Sequence, residues 1–482
     1  MTFINRLEPS SVWRHFAEIC AIPRPSLSEA ALRAHIASWA GARGLAVHAD
    51  AVGNLLIRKP ASRGRENRPG VVLQAHLDMV CQANSGVVHD FLRDPIVAVE
   101  RDGWLVAEET TLGADNGIGV ALALAALEDE TLVHPELEVL LTVDEEAGMG
   151  GAHGLEAGLL RGTRMLNLDT EEWGEFYLGC AGGCDVTVSR HCHTEMVPSD
   201  YRFRRITVAG LVGGHSGGDI HLGRGNANKM LVRVLRQLEK SVDFRLCAFS
   251  GGTARNALAR EAWAVIALPP GTDEEAVEAV LRDAGALYRD ELAGVDAGVC
   301  LSMEPAEESP AVGLADQSDL MAALHAAPHG VRRMSVAFPD IVETSNNLGV
   351  MALAEGRFSA NLMVRSLRGS GTRMLADEIA SLFALAGCRV EVSGEYPGWT
   401  PDAGSALLAL CQEVFRREFG RDPSVKIIHA GLECGVIGSK YPDMDMVSLG
   451  PTIRGAHAPG ERVDIATVAE CWKLLGALLA AL

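Results

Sequence analysis

The chain has 482 residues, 48% of them hydrophobic and 22% charged, which fits a soluble globular protein of two or three domains. Acidic residues outnumber basic ones, 63 to 43, and the formal charge of -20 argues against nucleic acid or an anionic membrane as a partner. No run of about 18 apolar residues spans a membrane, MTFINRLEPSSVWRHFAEIC lacks a signal-type apolar core, and the 11 cysteines are scattered without a CxxC pair, so we expect a reduced, cytoplasmic protein.

From the N-terminus the pattern predicts an amphipathic helix, then a second helix over SLSEAALRAHIASWAGARG, then a strand pair. Ser26 or Ser28 is the expected N-cap of the second helix, and Gly41 or Gly44 its stop. The polar loop ASRGRENRPG precedes the apolar run VVLQAHLDMV, and TLGADNG precedes a long small-residue helix, IGVALALAALED. PELEVLLTV and RMLNLDT read as further buried strands. Apolar runs alternating with helices predict a three-layer α/β domain.

After about Gly183 the texture changes. CDVTVSRHCHTEM, YRFRRITVAGLV and EAWAVIALP read as strands, with helices over NANKMLVRVLRQLEK and EEAVEAVLRDAGALYRDEL. RFSANLMVRSL, TRMLADEIASLFALAG and CRVEVSGEYP repeat the order strand, helix, strand, so this region is expected to hold two α+β halves of similar make-up. From PDAGSALLALCQEVFRREFG onward the first rhythm returns. The simplest layout is one α/β domain in two parts, 1–185 and 397–482, interrupted by an inserted α+β domain over 186–396.

Chemistry-bearing side chains stand at the ends of the apolar runs. His76 and Asp78 end VVLQAHLD, Asp115 lies in LGADNG, Glu145 and Glu146 end LLTVDEE, Asp169 ends MLNLD, and His457 lies in RGAHAPGE. In open α/β sheets ligands bind outside the carboxyl ends of the strands, so these groups are expected to converge at one edge. Two histidines and several carboxylates form a mixed nitrogen and oxygen donor set, suited to zinc, manganese or cobalt. Within HLD, positions i and i+2 of a strand point the same way, so Asp78 can orient the imidazole of His76. Adjacent residues of an extended segment face opposite ways, so Glu145 and Glu146 are expected to have two jobs, one on a metal and one free to take a proton. Asp144, the third acid in the run, is expected to be a turn or supporting residue.

AHLDMV, LGADNGIG, LLTVDEEAGMGGA, LNLDTEE, GGHSGGDI, GGTARNA, HAGLECG and GAHAPGE together resemble the di-zinc metallopeptidases of the aminoacylase and carboxypeptidase kind. More closely they resemble the cytosolic aminoacyl-histidine (β-alanyl-histidine) dipeptidases, and the motifs run in that family's order from residue 74 to 461. The resemblance implies two divalent ions, zinc with manganese or cobalt as alternatives, and small dipeptides such as carnosine as substrates. It implies that His76 and Asp169 hold one ion, that Glu146 and His457 hold the other, and that Asp115 bridges them. Glu145 is then the general base, Asp78 orients His76, His215 contacts the substrate, Arg255 and Asn256 hold its carboxylate, and Glu433 receives its α-amine. His429 is a lesser candidate. The resemblance also implies that the two-part α/β domain is a three-layer, zinc-exopeptidase-like catalytic domain, that the α+β insert is its lid, and that a homodimer forms through that lid. An N-acyl amino acid deacylase or a tripeptidase would use the same chemistry, and a binding module that has lost catalysis is the reading from another class.

Overall fold

The computed structural model describes residues 4–482, which fall into two compact units. The first contains the chain up to Gly179 together with Pro401–Ile427 and Leu432–Leu482. The second contains Cys180–Thr400 and the short stretch Ile428–Gly431.

The first unit is built on an eight-stranded sheet in the order Ala46–Ala49, Leu55–Lys59, Leu137–Thr142, Val71–His76, Arg164–Asn167, Asp445–Ser448, Glu175–Cys180, Ser424–Ile428. Its centre is parallel: Val71–His76 pairs with both Leu137–Thr142 and Arg164–Asn167, and Arg164–Asn167 pairs with Asp445–Ser448. Strands covered on both faces read as continuous apolar runs, which is why VVLQAH and LEVLLT show little alternation and are buried throughout. The helix Ala114–Glu128 is apolar on nearly every side, because almost all of it is buried. It packs against Ser10–Cys20, whose inward face carries Val12, Trp13, Phe16 and Ile19. Phe176, Phe415, Phe419 and Trp173 stack edge-on or tilted where the helix Ala406–Phe419 meets the sheet.

The second predicted helix spans Ala30–Ala42 and stops before Gly44, which takes φ 72° as a helix-ending glycine does. Neither serine caps it. The N-cap position is Glu29, without a side-chain cap bond. Ser26 donates to Asp78 Oδ2 at 2.7 Å, while Glu29 Oε1 accepts from the amides of Leu27 and Asp144, at 3.0 and 2.9 Å. The groups that would serve the helix end are recruited to hold the loops at the strand ends.

The second unit is organised by one nine-stranded sheet. The order is Cys300–Pro305, Arg202–Ala209, Ala262–Leu268, Arg245–Gly251, Val342–Ala354, Arg357–Ser366, Gly182–His191, Arg389–Tyr396, with Gly330–Met334 alongside Val342–Ala354. The two expected halves are joined edge to edge by a short antiparallel pairing of Phe249–Gly251 with Met351–Leu353. Gly182–His191, first of this unit's strands in the chain, lies in the second half of the sheet, between Arg357–Ser366 and Arg389–Tyr396. A single apolar core spans both halves, from Val208, Leu231 and Ile266 to Val186, Leu362 and Phe383. Two of its helices, Ala227–Leu238 and Glu274–Glu291, start on side-chain caps: Asn226 accepts from Lys229 N at 3.2 Å and Asp273 from Glu275 N at 3.0 Å.

Candidate active site

The parallel strands Val71–His76, Leu137–Thr142, Arg164–Asn167 and Asp445–Ser448 share a direction and end at the same edge of the first unit's sheet. His76 lies opposite Thr142, and Asn167 lies opposite Ser448. The loops leaving these strand ends, with the start of Ala114–Glu128 and the loop carrying His457, bring the first-unit candidates together.

His76 Nε2 lies 3.1 Å from Asp115 Oδ1 and 3.4 Å from Asp169 Oδ1. His457 Nε2 lies 3.1 Å from Asp115 Oδ2 and 3.0 Å from Glu146 Oε1. Asp115 therefore offers one oxygen to each imidazole. Ligand atoms of His76, Asp115 and Glu146 all lie within 4.8 Å of one another. Asp78 sits beside His76, its Oδ1 3.4 Å from Nδ1. The same carboxylate accepts from the amides of Glu145 at 3.0 Å and Glu146 at 3.1 Å, so it orients an imidazole and pins the neighbouring loop.

Local sequence explains this placement. The strand Leu137–Thr142 ends two residues before Asp144, which adopts a left-handed conformation with φ 55° and turns the chain. Glu145–Gly148 then form a helical turn. The expectation that strand alternation separates the two glutamates is thus corrected: they are successive residues of a helical turn, splayed by about 100° of rotation per residue. At the start of Ala114–Glu128, Asp115 and Asn116 depart from helical torsions, which swings the Asp115 carboxylate out of the helix. Asn116 Nδ2 donates to Asp169 Oδ1. Behind them, a Cβ on Gly119 would lie 1.8 Å from Asn116 Oδ1 and 2.5 Å from Leu168 O, so the small-residue helix is what lets the two loops meet.

The electrostatics are those of an anion cluster short of positive charge. Burial opposes charging of His76, yet Asp169, Asp115 and Asp78 outweigh it and raise its pKa well above the usual value. Hydrogen bonds to Asp115 and Glu146 push His457 up to about 11. Burial, with Asp115 adding to it, lifts Asp169 to about 6. Glu145 is raised well above the carboxylate range, first by burial and then by Asp169, Glu433 and Glu146. Glu146 Oε1 is buried, with His457 Nε2 beside it at 3.0 Å. Imidazole nitrogens aimed at buried carboxylate oxygens are the donor set that divalent cations fit.

Glu433 opens the helix Glu433–Lys440 and is 1% exposed. Its Oε2 accepts from Gln74 and Thr142, both at 2.6 Å, from two of the strands that end at the site. Its Oε1 is buried and unpartnered, and burial lifts its pKa to about 7.

The remaining candidates belong to the second unit. His215 Nδ1 accepts from the amides of Gly218 and Gly217, at 2.9 and 3.3 Å, which leaves the proton of the neutral ring on Nε2. Burial and then Arg365 lower its pKa, keeping it neutral. Arg255 is drawn into an ion pair with Asp185. Asn256 is exposed, and its carbonyl accepts from Ser216 N at 2.8 Å. His429 is buried, its Nε2 2.7 Å from Ser345 Oγ.

Sequence reasoning missed Arg365. Its side chain is buried, reaching Tyr396 OH at 2.8 Å and Ser216 Oγ at 3.3 Å, with no carboxylate partner among the described residues. Its Nη2 stands 3.4 Å from His215 Nε2. Two nitrogen donors side by side with no acceptor between them form a site for an anion. The available signal was Arg365 following the apolar run LMV near the end of the strand RFSANLMVRS, where a buried charge without a counter-charge is costly.

The chain has counterparts among known proteins. The chain is 46% identical over 480 residues, 99% of each chain, to the cytosol non-specific dipeptidase of Escherichia coli (strain K12). The crystal structure of aminoacylhistidine dipeptidase from Vibrio alginolyticus superposes with a TM-score of 0.92 at 44% identity, covering 100% of this chain and 99% of that one. Aminopeptidase PepT from Bacillus cereus ATCC 10987, at 16% identity and a TM-score of 0.57 over 98% and 99% of the two chains, shares the fold. Residues 72–481, from the strand that presents His76 to the C-terminal helix, match the model of peptidase family M20/M25/M40, and the chain belongs to that family.

Proposed function

We propose that this peptidase is a two-metal dipeptidase that cleaves dipeptides with a free N-terminus, Xaa-His substrates such as carnosine among them, with zinc as the ion and manganese or cobalt able to replace it. The observation that carries the reading is Asp115, whose two oxygens each meet a different histidine at 3.1 Å. In this reading His76 and Asp169 would hold one ion and Glu146 and His457 the other, with Asp115 available to both. Divalent ions there would lower the pKa of water and polarise the scissile carbonyl.

The protein's own groups handle the proton. Glu145 has no hydrogen bond to its carboxylate among those described, and burial beside other acids favours its protonated form. It is suited to take a proton from the attacking water and return it to the leaving amine. Asp78 holds His76 and the backbone of Glu145 and Glu146 in place. The free Oε1 of Glu433 suits a substrate ammonium. In the second unit His215 and Arg365 suit the substrate carboxylate, a role that Arg255 is less free to take because Asp185 occupies it. The first unit then carries the metal chemistry and the second acts as the inserted lid. An N-acyl amino acid deacylase would have no ammonium to offer Glu433.

Among the described residues no helix is long and apolar enough to cross a membrane, and the likeness to a cytosol dipeptidase supports residence in the cytoplasm. The edge strand Gly330–Met334 exposes Val331 and Met334, a surface suited to homodimer contact through the lid that sedimentation can test. The deciding experiment loads chelator-treated protein with Zn²⁺ or Mn²⁺ and compares dipeptides, tripeptides and N-acetyl amino acids. Dipeptide cleavage restored by metal is expected, and full metal loading without it overturns the reading.

A further inference from the structure

Two buried charges lie behind the candidate site and have no part in the roles above. Arg24 is 2% exposed and Glu461 is 1% exposed. Arg24 donates to the carbonyls of Leu77 at 2.8 Å, Asp78 at 2.7 Å, and Gly113. Glu461 accepts from the amides of Leu112 at 2.8 Å, Gly113 at 2.9 Å and Asp115 at 3.2 Å. Gly113 thus gives its N–H to a carboxylate and its carbonyl to a guanidinium. It has φ 66°, and a Cβ there would stand 2.4 Å from Arg24 Nη2 and 2.8 Å from Met79 Sδ. The loop that presents Asp115 is gripped from both sides, and the same guanidinium ties it to the loop that presents His76 and Asp78.

We propose that Glu461 and Arg24 form a backbone clamp, a pair of positioning residues that fix the Asp115 carboxylate between His76 and His457 and so set the affinity of the site for both ions. The inference rests on the two-metal reading. Glu461 follows His457 by four residues, so one loop supplies an imidazole and also holds the carboxylate that imidazole meets. The chemistry needs these residue types. A carboxylate has acceptor oxygens enough for three amides, whereas a glutamine would turn an NH₂ toward one of them. Three carbonyls from two loops need the fixed fork of a guanidinium, which a lysine ammonium does not reproduce. The role is distinct from that of Asp78, which supports His76 and the Glu145–Glu146 turn and makes no described bond to Asp115.

The test is a competition titration of Zn²⁺ against a chromophoric chelator, using full-length wild type, E461Q and R24K, with urea midpoints of the metal-free proteins alongside. E461Q is expected to bind both ions about 10–100-fold more weakly, in line with changes behind metal ligands. Its kcat should recover toward wild type at saturating metal, with KM unchanged. R24K should show the same pattern at smaller size, and it decides the matter if E461Q does not fold. Wild-type affinity at both sites in a folded variant overturns the clamp, as does weakening confined to one ion, because Asp115 is shared. A wild type that binds no pair of ions counts against the two-metal reading instead.

Discussion

Glu145 and Glu146 adjoin in the chain and meet different surroundings. Glu146 Oε1 lies 3.0 Å from His457 Nε2, in the candidate ligand cluster, while Glu145 has a raised pKa and no described side-chain hydrogen bond. Changing each to glutamine should therefore fail differently. E145Q should keep its metal content and lose about 10²–10⁴-fold in kcat, the range for a removed general base. E146Q should lose metal, with activity partly restored by excess Zn²⁺. Elemental analysis beside steady-state kinetics separates the two, and equal metal loss in both would sink the assignment. Glu433 gives a third residue-scale prediction. E433Q should raise KM for dipeptides while leaving any cleavage of N-acetyl amino acids unchanged, because only the dipeptide carries an ammonium. The candidate donor types were legible in the sequence, since histidines and acids recur at the ends of apolar runs. The partner of each was not, because a sequence does not say which oxygen meets which nitrogen.

At the scale of elements, the strands and helices were legible wherever composition and period agreed. The runs VVLQAH and LEVLLT are strands, and IGVALALAALE lies in a buried helix. The departures fall at element ends. LLTVDEE was read as extended through its acids, but Asp144 at φ 55° turns the chain into a helical turn. Alternation is a rule of strands and lapses at the residue where the strand stops. Ser26 was read as a cap, yet it bonds Asp78, because a buried carboxylate gains more from a donor than an exposed helix end does. The glycine-rich start of Ala114–Glu128 carries a prediction at this scale. Gly119→Val would force carbon into atoms 1.8 and 2.5 Å from the Cβ position. It should destabilise the protein by about 1–3 kcal/mol or more, the cost of overpacking, measured as a lower urea midpoint. It should also weaken metal binding, since the displaced Asn116 donates to Asp169.

At the scale of the whole molecule, charge and burial predict a response to acid. His429 is 7% exposed, and burial, with Arg365, His215 and His221 adding to it, pushes its pKa down to about 3. The unfolded chain takes up this proton near the ordinary histidine value of about 6.5. The folded pKa is thus the lower one, so the contribution is fully present above pH 6.5 and is lost as pH falls toward the folded value. Between pH 7 and 5.5 the loss from this residue is about 1 kcal/mol by linkage. Comparing urea midpoints of wild type and H429Q across that range should show a flatter dependence in the variant, and parallel slopes would disprove it.

Composition, the alternation of buried strands with helices and the donor types at the strand ends were determined by the sequence alone, because burial patterns and side-chain chemistry are local properties. The family likeness was legible for the same reason, being carried by short motifs. Tertiary structure decided what depends on distant segments meeting. Only folding brings Glu461 to the amide of Asp115, Glu433 to Gln74 and Thr142, and Arg365 to His215. Those pairings join residues as much as 359 positions apart, and no local pattern marks a buried charge until its neighbours are known.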